Sequence, residues 1–441
     1  MKKLNTYVTT AAVALLTCSA APLQAKAETL QEAIQYMLDT NPEVRSSAYI
    51  RKSRDEVVRI AKADYYPRLD FSAGTGVQQF DEPIVRDTNP VEYRLSLRQN
   101  LFTGFGTKYD VERTKHSVNS GAYRVQATSS DTALRGAQTY LDVLRRQKLI
   151  DQAELNLQNH LRIEDQIKLR SDSGVARKAD MDQVQGRVAL ARTDLLSSKA
   201  NMIDSQTNYF AVIGHMPENL SQPESPDTLL PKSLDEAQRQ AIVNHPTLLA
   251  GEEDLAARES QYGIAKSEYY PKLDLELDKR WEDEVDGFEG KEEDWLAMLR
   301  LRYNFFSGFR HSGRKQETKY LIDDAREARN DIARQALESI RLSWTTYESE
   351  LAKHQDLQDR VTATDKTVKA YRKQWDIGKR TLLDLLDSGA ESINSQVDLV
   401  NSKFQLESAK YRLLNGIARL VPALALTYPE EANVEYFADK E

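Results

Sequence analysis

Three carboxylates stand at alternate positions, Asp274, Glu276 and Asp278, and further along Arg300, Arg302 and Asn304 alternate in the same way. The intervening residues are apolar: Leu273, Leu275 and Leu277 in the first run, Trp295, Ala297, Leu299, Leu301 and Tyr303 in the second. This period of two marks β-strands with one apolar and one polar face. If the two runs pair antiparallel, carboxylates on one lie beside guanidiniums on the other, and their chemistry is ion pairing rather than catalysis. Little else in the chain offers reactive chemistry. Its six histidines, at 116, 160, 215, 245, 311 and 354, lack metal-ligand spacing. It has no nucleophile motif, glycine-rich phosphate loop or HExxH. Carboxylate pairs carry no weight where 29% of residues are charged. The expectation is a protein without enzymatic activity, cofactor, metal or ATP site.

The same alternation occurs earlier. Leu69, Phe71, Ala73, Thr75 and Val77 share one face, opposite Asp70, Ser72, Gly74, Gly76 and Gln78. Tyr93, Leu95, Leu97 and Leu101 oppose Arg94, Ser96, Arg98 and Asn100. Aromatic residues near the strand ends, Phe71, Tyr93, Trp295, Tyr303 and Phe305, fit an interfacial girdle. The acidic stretch EDEVDGFEGKEED belongs in water as a loop. Apolar-out, charged-in strands suit a transmembrane β-barrel, or else an amphipathic hairpin on a soluble core.

The N-terminus bears on that choice. Lys2 and Lys3 precede a short apolar run, and Ala25 and Ala27 form an A-x-A cleavage pattern, so residues 1–27 read as a signal peptide. The run is too short for a membrane anchor. Thr17 before Cys18 argues against lipidation, and Cys18 is the only cysteine, so the mature chain has no thiol chemistry. Its three lysines leave with the leader, moving the formal charge from -8 to -11. An acidic exported protein is not a nucleic-acid binder by default. Export favours the barrel.

The phrase AKADYYPRLDF (61–71) returns as AKSEYYPKLDL (265–275), identical at seven of eleven positions and offset by 204. RLSLRQNLFTGF (94–105) returns as MLRLRYNFFSGF (298–309) at the same offset. Gly174 maps onto Gly378 and Asp180 onto Asp384. The mature chain therefore reads as a tandem repeat, 28–225 and 226–427, joined through a proline-rich extended linker and ended by an acidic tail at 428–441. Each copy opens with two helices, the first capped by Thr29 with Glu32 in copy one. Pro67 and Pro271 stop the second helix, because the residue before proline avoids helical geometry. A strand hairpin follows, about 69–102 and 273–305. Long helical hairpins then run over about 107–213 and 311–418, turning near Gly174 and Gly378. On the last helix, Leu386, Ala390, Ile393, Val397, Val400, Phe404, Tyr411 and Leu414 recur by fours and threes, with Glu407 the one polar member. That is a coiled-coil seam.

Four strands cannot close a barrel, and an open edge in lipid is prohibitive. Two chains give eight strands, whose interior is filled by side chains; three give twelve. The charged inner face argues for water inside, hence three or more chains.

The export signal, duplicated helix–strand–strand–helix layout, YYPRLDF phrase and NLFTGF/NFFSGF strand-to-helix turns at Gly104 and Gly308 resemble the TolC family of outer membrane efflux proteins. The turn GKRTLLDLLD (378–387) is the most specific match, and the similarity covers the whole mature chain. The resemblance implies a mainly α homotrimer with a twelve-stranded transmembrane β-barrel and a long coiled-coil periplasmic tunnel. It implies location in the outer membrane of a Gram-negative bacterium. Implied partners are outer-membrane lipid, a periplasmic adaptor (membrane fusion protein) and an inner-membrane ABC transporter or proton-driven pump. The cargo would be an exported protein, as in type I secretion, or a small toxic molecule. Carried over by position, Asp384 and Asp387 look like the aspartates ringing a closed periplasmic aperture. Arg380 looks like a latch arginine and Asp180 like its partner, while Trp375 and Ala179 depart from the family's tyrosine and hydroxyl residues. Read from the residues alone, without that resemblance, Asp384 and Asp387 read first as a solvated helix start favoured by the helix dipole. A periplasmic coiled-coil adaptor or scaffold without a pore is the alternative function; it would not need four amphipathic strands.

Overall fold

The computed structural model describes residues 27–80, 86–173, 177–285 and 290–434. The expected leader up to residue 26, Gly174 of the expected first tip turn and the last seven residues of the expected acidic tail lie outside them. Helix α1 (Leu30–Thr40) starts at the expected cap. The Thr29 Oγ1 accepts from the Glu32 N–H at 3.2 Å, and the Glu32 carboxylate accepts from the Thr29 N–H at 3.0 Å. Asn41 caps α2 (Pro42–Ala63), with Pro42 at the first helical position, where its missing N–H is not needed. The chain turns ahead of Pro67 into β1 (Arg68–Thr75). A small ribbon, β2 (Gln78–Phe80) and β3 (Arg86–Thr88), precedes β4 (Val91–Phe102). Helices α3 (Gly106–Asp172) and α4 (Lys178–Ile213) follow.

The second half repeats this order. It runs α5 (Leu234–Asn244), α6 (Pro246–Ser267), β5 (Lys272–Asp283), β6 (Lys291–Arg302), α7 (Arg310–Asp376) and α8 (Leu382–Gly416), with a short α9 (Leu420–Ala423). Matching helices start 204 residues apart. Helices α3 and α7 each hold 67 residues. At 1.5 Å per residue each is about 100 Å long. Among the described residues no helix is long and apolar enough to cross a membrane. The strands form one antiparallel sheet in the order β1-β4-β5-β6. Its outer strands, β1 and β6, have no second strand partner among the described residues.

Three details differ from the sequence reading. A bulge at Leu101 shifts the β4–β5 register, so Phe102 and not Leu101 pairs with Leu273. Both ends of the acidic stretch expected as a loop are ladder: Glu282 pairs with Glu292 and Asp283 with Lys291. Backbone pairing continues there because acidic side chains in water do not prevent it. The acidic tail is tethered at its start. Tyr428 meets Ser130, Glu431 pairs with Lys52 at 2.5 Å, and the Ala432 carbonyl accepts from Gln126 at 2.7 Å.

Two apolar clusters hold the helices. The large one gathers α1, α2, α3, α4, α5, α7, α8 and α9 around fully buried Ile34, Met37, Tyr140, Tyr209, Ile340 and Leu413. On the predicted α8 seam, Leu386, Phe404, Tyr411 and Leu414 are buried. The polar member, Glu407, accepts from Lys410 at 3.0 Å and from Ser225 at 3.1 Å. The small cluster, Ile163, Ile167, Val184, Val188, Trp375, Leu382, Leu385 and Leu386, sits at the far end, under the tip turns.

Candidate functional site: sheet face and hairpin tips

The sheet separates its two faces as the alternation predicts. Leu69, Phe71, Trp295, Leu299 and Leu301 are exposed on one side. The other side is an ion-pair network. Asp274, with its side chain 6% exposed, takes Arg98 at 2.9 Å and Arg302 at 3.2 Å. Glu276 takes Arg300 at 2.7 Å and Arg302 at 2.5 Å. The carboxylates of β5 thus lie between arginines of β4 and β6. Each accepts charge-assisted hydrogen bonds, which lets a carboxylate be buried on a strand. A polar face this organised belongs against water, while the opposite face asks for an apolar medium.

The joints between helix and strand are built from glycine. Gly104 has φ +65° and is followed by Phe105 at +69°; Gly308 has φ +60° and is followed by Phe309 at +66°. A Cβ on Gly104 would lie 2.5 Å from the Ser267 carbonyl oxygen and 2.8 Å from Tyr270 Cβ. Only glycine therefore allows the first strand-to-helix turn to lie against the YYP turn of the second half. Nothing lies near the same point on Gly308.

At the tip, Gly378 at φ +75° ends α7, and the Lys379 N–H donates back to the Gln374 carbonyl at 2.8 Å. Thr381 caps α8. Its hydroxyl accepts from the Asp384 N–H at 3.2 Å and donates to the Asp384 carboxylate at 2.8 Å. The Thr381 hydroxyl and backbone N–H, aided by the Arg380 charge, hold the Asp384 carboxyl below the usual carboxylate range. Arg380 reaches Asp384 at 3.8 Å, donates to Gln374 at 3.0 Å and stacks on the Tyr371 ring at 4.2 Å.

The predicted residues are not all brought together. Asp384 and Arg380 are adjacent. Asp180 instead accepts from the N–H of the α4 cap residue Arg177 at 3.3 Å, and no ion pair joins it to Arg380 among the described residues. Asp387 meets Arg187 of α4 at 2.9 Å. The Arg170 guanidinium lies 3.9 Å from the centre of the buried Trp375 ring. These two contacts tie one hairpin to the other, α4 to α8 and α3 to α7. The sequence reading missed Arg187 and Arg170. Their only signal was position, since both lie within three turns of a tip. His160 of α3 is buried, and burial together with the Arg187 charge pushes its pKa down.

The sequence profile of the outer membrane efflux protein family matches residues 33–215 and again 237–418. The chain is 24% identical over 382 residues to the outer membrane efflux protein BepC of Brucella suis, covering 85% of this chain and 81% of that protein. It is 19% identical over 404 residues to the outer membrane protein TolC of Vibrio cholerae, covering 88% and 89%. Among solved structures, the outer membrane protein VceC of Vibrio cholerae superposes with a TM-score of 0.74 at 17% identity, covering 91% of this chain and 97% of that one. That likeness shows the fold. The chain belongs to the outer membrane efflux protein family, and is a channel protein of the outer membrane for efflux or secretion.

Proposed function

We propose that three copies of this chain form one passive exit duct. The carrying observation is the four-stranded sheet, apolar on one face, ion-paired on the other and, among the described residues, unpartnered at both edges. In lipid those edges must pair. Joining β6 of each copy to β1 of the next gives a closed barrel of twelve strands, wide enough to hold water against Arg98, Asp274, Glu276, Arg300 and Arg302. The 67-residue helices α3 and α7 then continue the wall into the periplasm. With no catalytic constellation in its sequence, the duct does no chemistry. Energy comes from an inner-membrane ABC transporter or proton-driven pump, coupled through a periplasmic adaptor, and the cargo is an exported protein or a small molecule. A pore-free adaptor has no use for the apolar sheet face.

The tip is the gate of this duct. Threefold assembly brings three copies of Asp384 and Asp387 toward one axis, where like charges at a constriction repel each other and attract cations. Arg380 and Asp180 flank that constriction, and Gly378 makes a turn that carries it. Planar-bilayer recording of the purified mature protein tests both parts. Stable channels that close with multivalent cations are expected. Well-folded protein that forms no channels would overturn the duct.

A further inference from the structure

Helix α8 runs between α3 and α7, and the three helices enclose a cleft of about 400 Å³. That volume falls in the range of roughly 300–1,000 Å³ that holds small organic ligands. The cleft lies on the side of α8 turned from the large core. Gln405, Ser408 and Arg412 line it, about a third of a turn round the helix from the seam positions Val400, Glu407, Tyr411 and Leu414. Its floor is apolar, made by the buried side chains of Leu141, Phe404 and Ala409.

Two of the charged groups on its walls are engaged within the chain. Asp142 pairs with Arg145 and, at 3.6 Å, with Arg146, and it accepts from the Ser205 hydroxyl at 2.8 Å. Arg145 also donates to Asn401 at 3.1 Å. The other two are not so satisfied. Arg412 is exposed and forms no ion pair among the described residues. Glu350 Oε2 is buried without a hydrogen-bond donor, and its nearest cation, Lys353, stands 3.6 Å away. The fold does not require these side chains. At the corresponding positions on α4 the chain has Ala200, Asn201, Asp204 and Asn208 in place of Phe404, Gln405, Ser408 and Arg412, so the repeat keeps the helix and drops both the cation and the aromatic floor.

We propose that this cleft is a binding site for a small organic anion, a carboxylate with a flat apolar body and one hydrogen-bond donor. The carboxylate takes charge-assisted hydrogen bonds from the Arg412 guanidinium. The body lies on Phe404 and Leu141, and the donor satisfies Glu350 Oε2, which costs free energy while it is left unpaired in a buried place. The direction in which the cleft opens rests on the duct proposed above; the site itself lies within one chain. Helices α1, α5 and α9 pack on the core side of α3 and α8. Inside a duct they would plug it, so that side is the outer one, and the cleft opens inward onto the path of the cargo.

Isothermal titration calorimetry of the mature protein in detergent, with para-hydroxybenzoate as the probe, tests the site. Binding is expected to weaken about tenfold or more in Arg412→Ala, where the charge-assisted bonds are lost, and to be partly kept in Arg412→Lys. The uncharged para-hydroxybenzamide should bind the parent protein no better than para-hydroxybenzoate binds Arg412→Ala. Circular dichroism reports the fold of each variant. No binding to folded parent protein, or equal affinity in folded Arg412→Ala, would overturn the site. Planar-bilayer recording then reads the orientation: para-hydroxybenzoate should lower the single-channel current of the parent and leave that of Arg412→Ala unchanged. Binding by calorimetry with no change in the current of open parent channels would overturn the inward opening. Folded protein that binds the probe but forms no channels would overturn the duct and uphold the site.

Discussion

Arg187 on α4 and Asp387 on α8 form an ion pair at 2.9 Å that joins the two helical hairpins close to their tips. Both side chains are partly in solvent, so the pair contributes at most about 1 kcal/mol to stability. Its weight is positional. Arg187→Ala is expected to leave the fold intact while freeing Asp387 and loosening α4 from α8. Single-channel recording should then show a higher open probability, with Arg187→Lys intermediate because an ammonium lacks the forked geometry. An unchanged open probability in Arg187→Ala would remove the pair from the gate.

Asp384→Asn with Asp387→Asn is expected to abolish closure by multivalent cations in the bilayer. The capping hydrogen bonds and the Arg380 charge lower the Asp384 pKa, so that carboxylate is ionised at neutral pH. The linkage sign follows from that depressed pKa. The contribution of Asp384 to stability is full above the ordinary carboxylate range and fades as pH falls through the lowered value. Channels of the double variant that still close with a trivalent cation would place the gate elsewhere.

His160 gives the tip a pH dependence of the opposite origin. Burial first, and then Arg187, lower its pKa from 6.5, so the folded chain binds fewer protons there than the unfolded chain. Stability is complete above about 6.5 and falls as pH drops below it, because the unfolded state takes up the proton first. His160→Gln is expected to flatten the melting temperature of the tip over the range from pH 7 to 5. A slope unchanged by the substitution would assign that dependence to other groups.

The sequence revealed what depends on local periodicity and little of what depends on distant register. Alternation in Leu273–Asp278 placed the ionic face correctly, since a strand has only two faces. Thr29 and Glu32 announced their helix start three residues apart. The Leu101 bulge was invisible, because Leu101 and Phe102 are both apolar and alternation cannot tell which is the extra residue. Arg187 was invisible for another reason: its partner lies 200 residues away, and no periodicity joins α4 to α8. Asp384 was legible as part of a helix start, three residues after the Thr381 cap. The structure shows the capping hydrogen bonds, and a carboxylate held there still presents its charge to the tip.

Asp274 tests the sheet. Asp274→Ala would leave Arg98 and Arg302 with Glu276 alone, removing two charge-assisted contacts. Losing such hydrogen bonds costs on the order of 2 kcal/mol. The expected result is a lower unfolding temperature of the sheet in detergent micelles, with helical content by circular dichroism unchanged below it. Asp274→Glu should recover part of the loss. No difference between Asp274→Ala and the parent protein would mean that the network is dispensable to the sheet.

The two joint glycines should respond differently to the same substitution. Alanine at φ near +60° costs about 1–2 kcal/mol at either position. At Gly104 the added carbon would also lie 2.5 Å from the Ser267 carbonyl oxygen, so Gly104→Ala should destabilise the individual chain well beyond that cost. At Gly308 a single chain leaves the space open. In the assembly proposed above, the carbonyl of the next copy's Ala63, the counterpart of Ser267, would come to that point. Gly308→Ala is therefore expected to give a chain with near-normal helical content and unfolding temperature but a reduced trimer fraction on size exclusion in detergent. Gly104→Ala should lower helical content before assembly is reached. If Gly308→Ala assembles as fully as the parent, no neighbouring backbone fills that space, and the second joint is not completed by another copy.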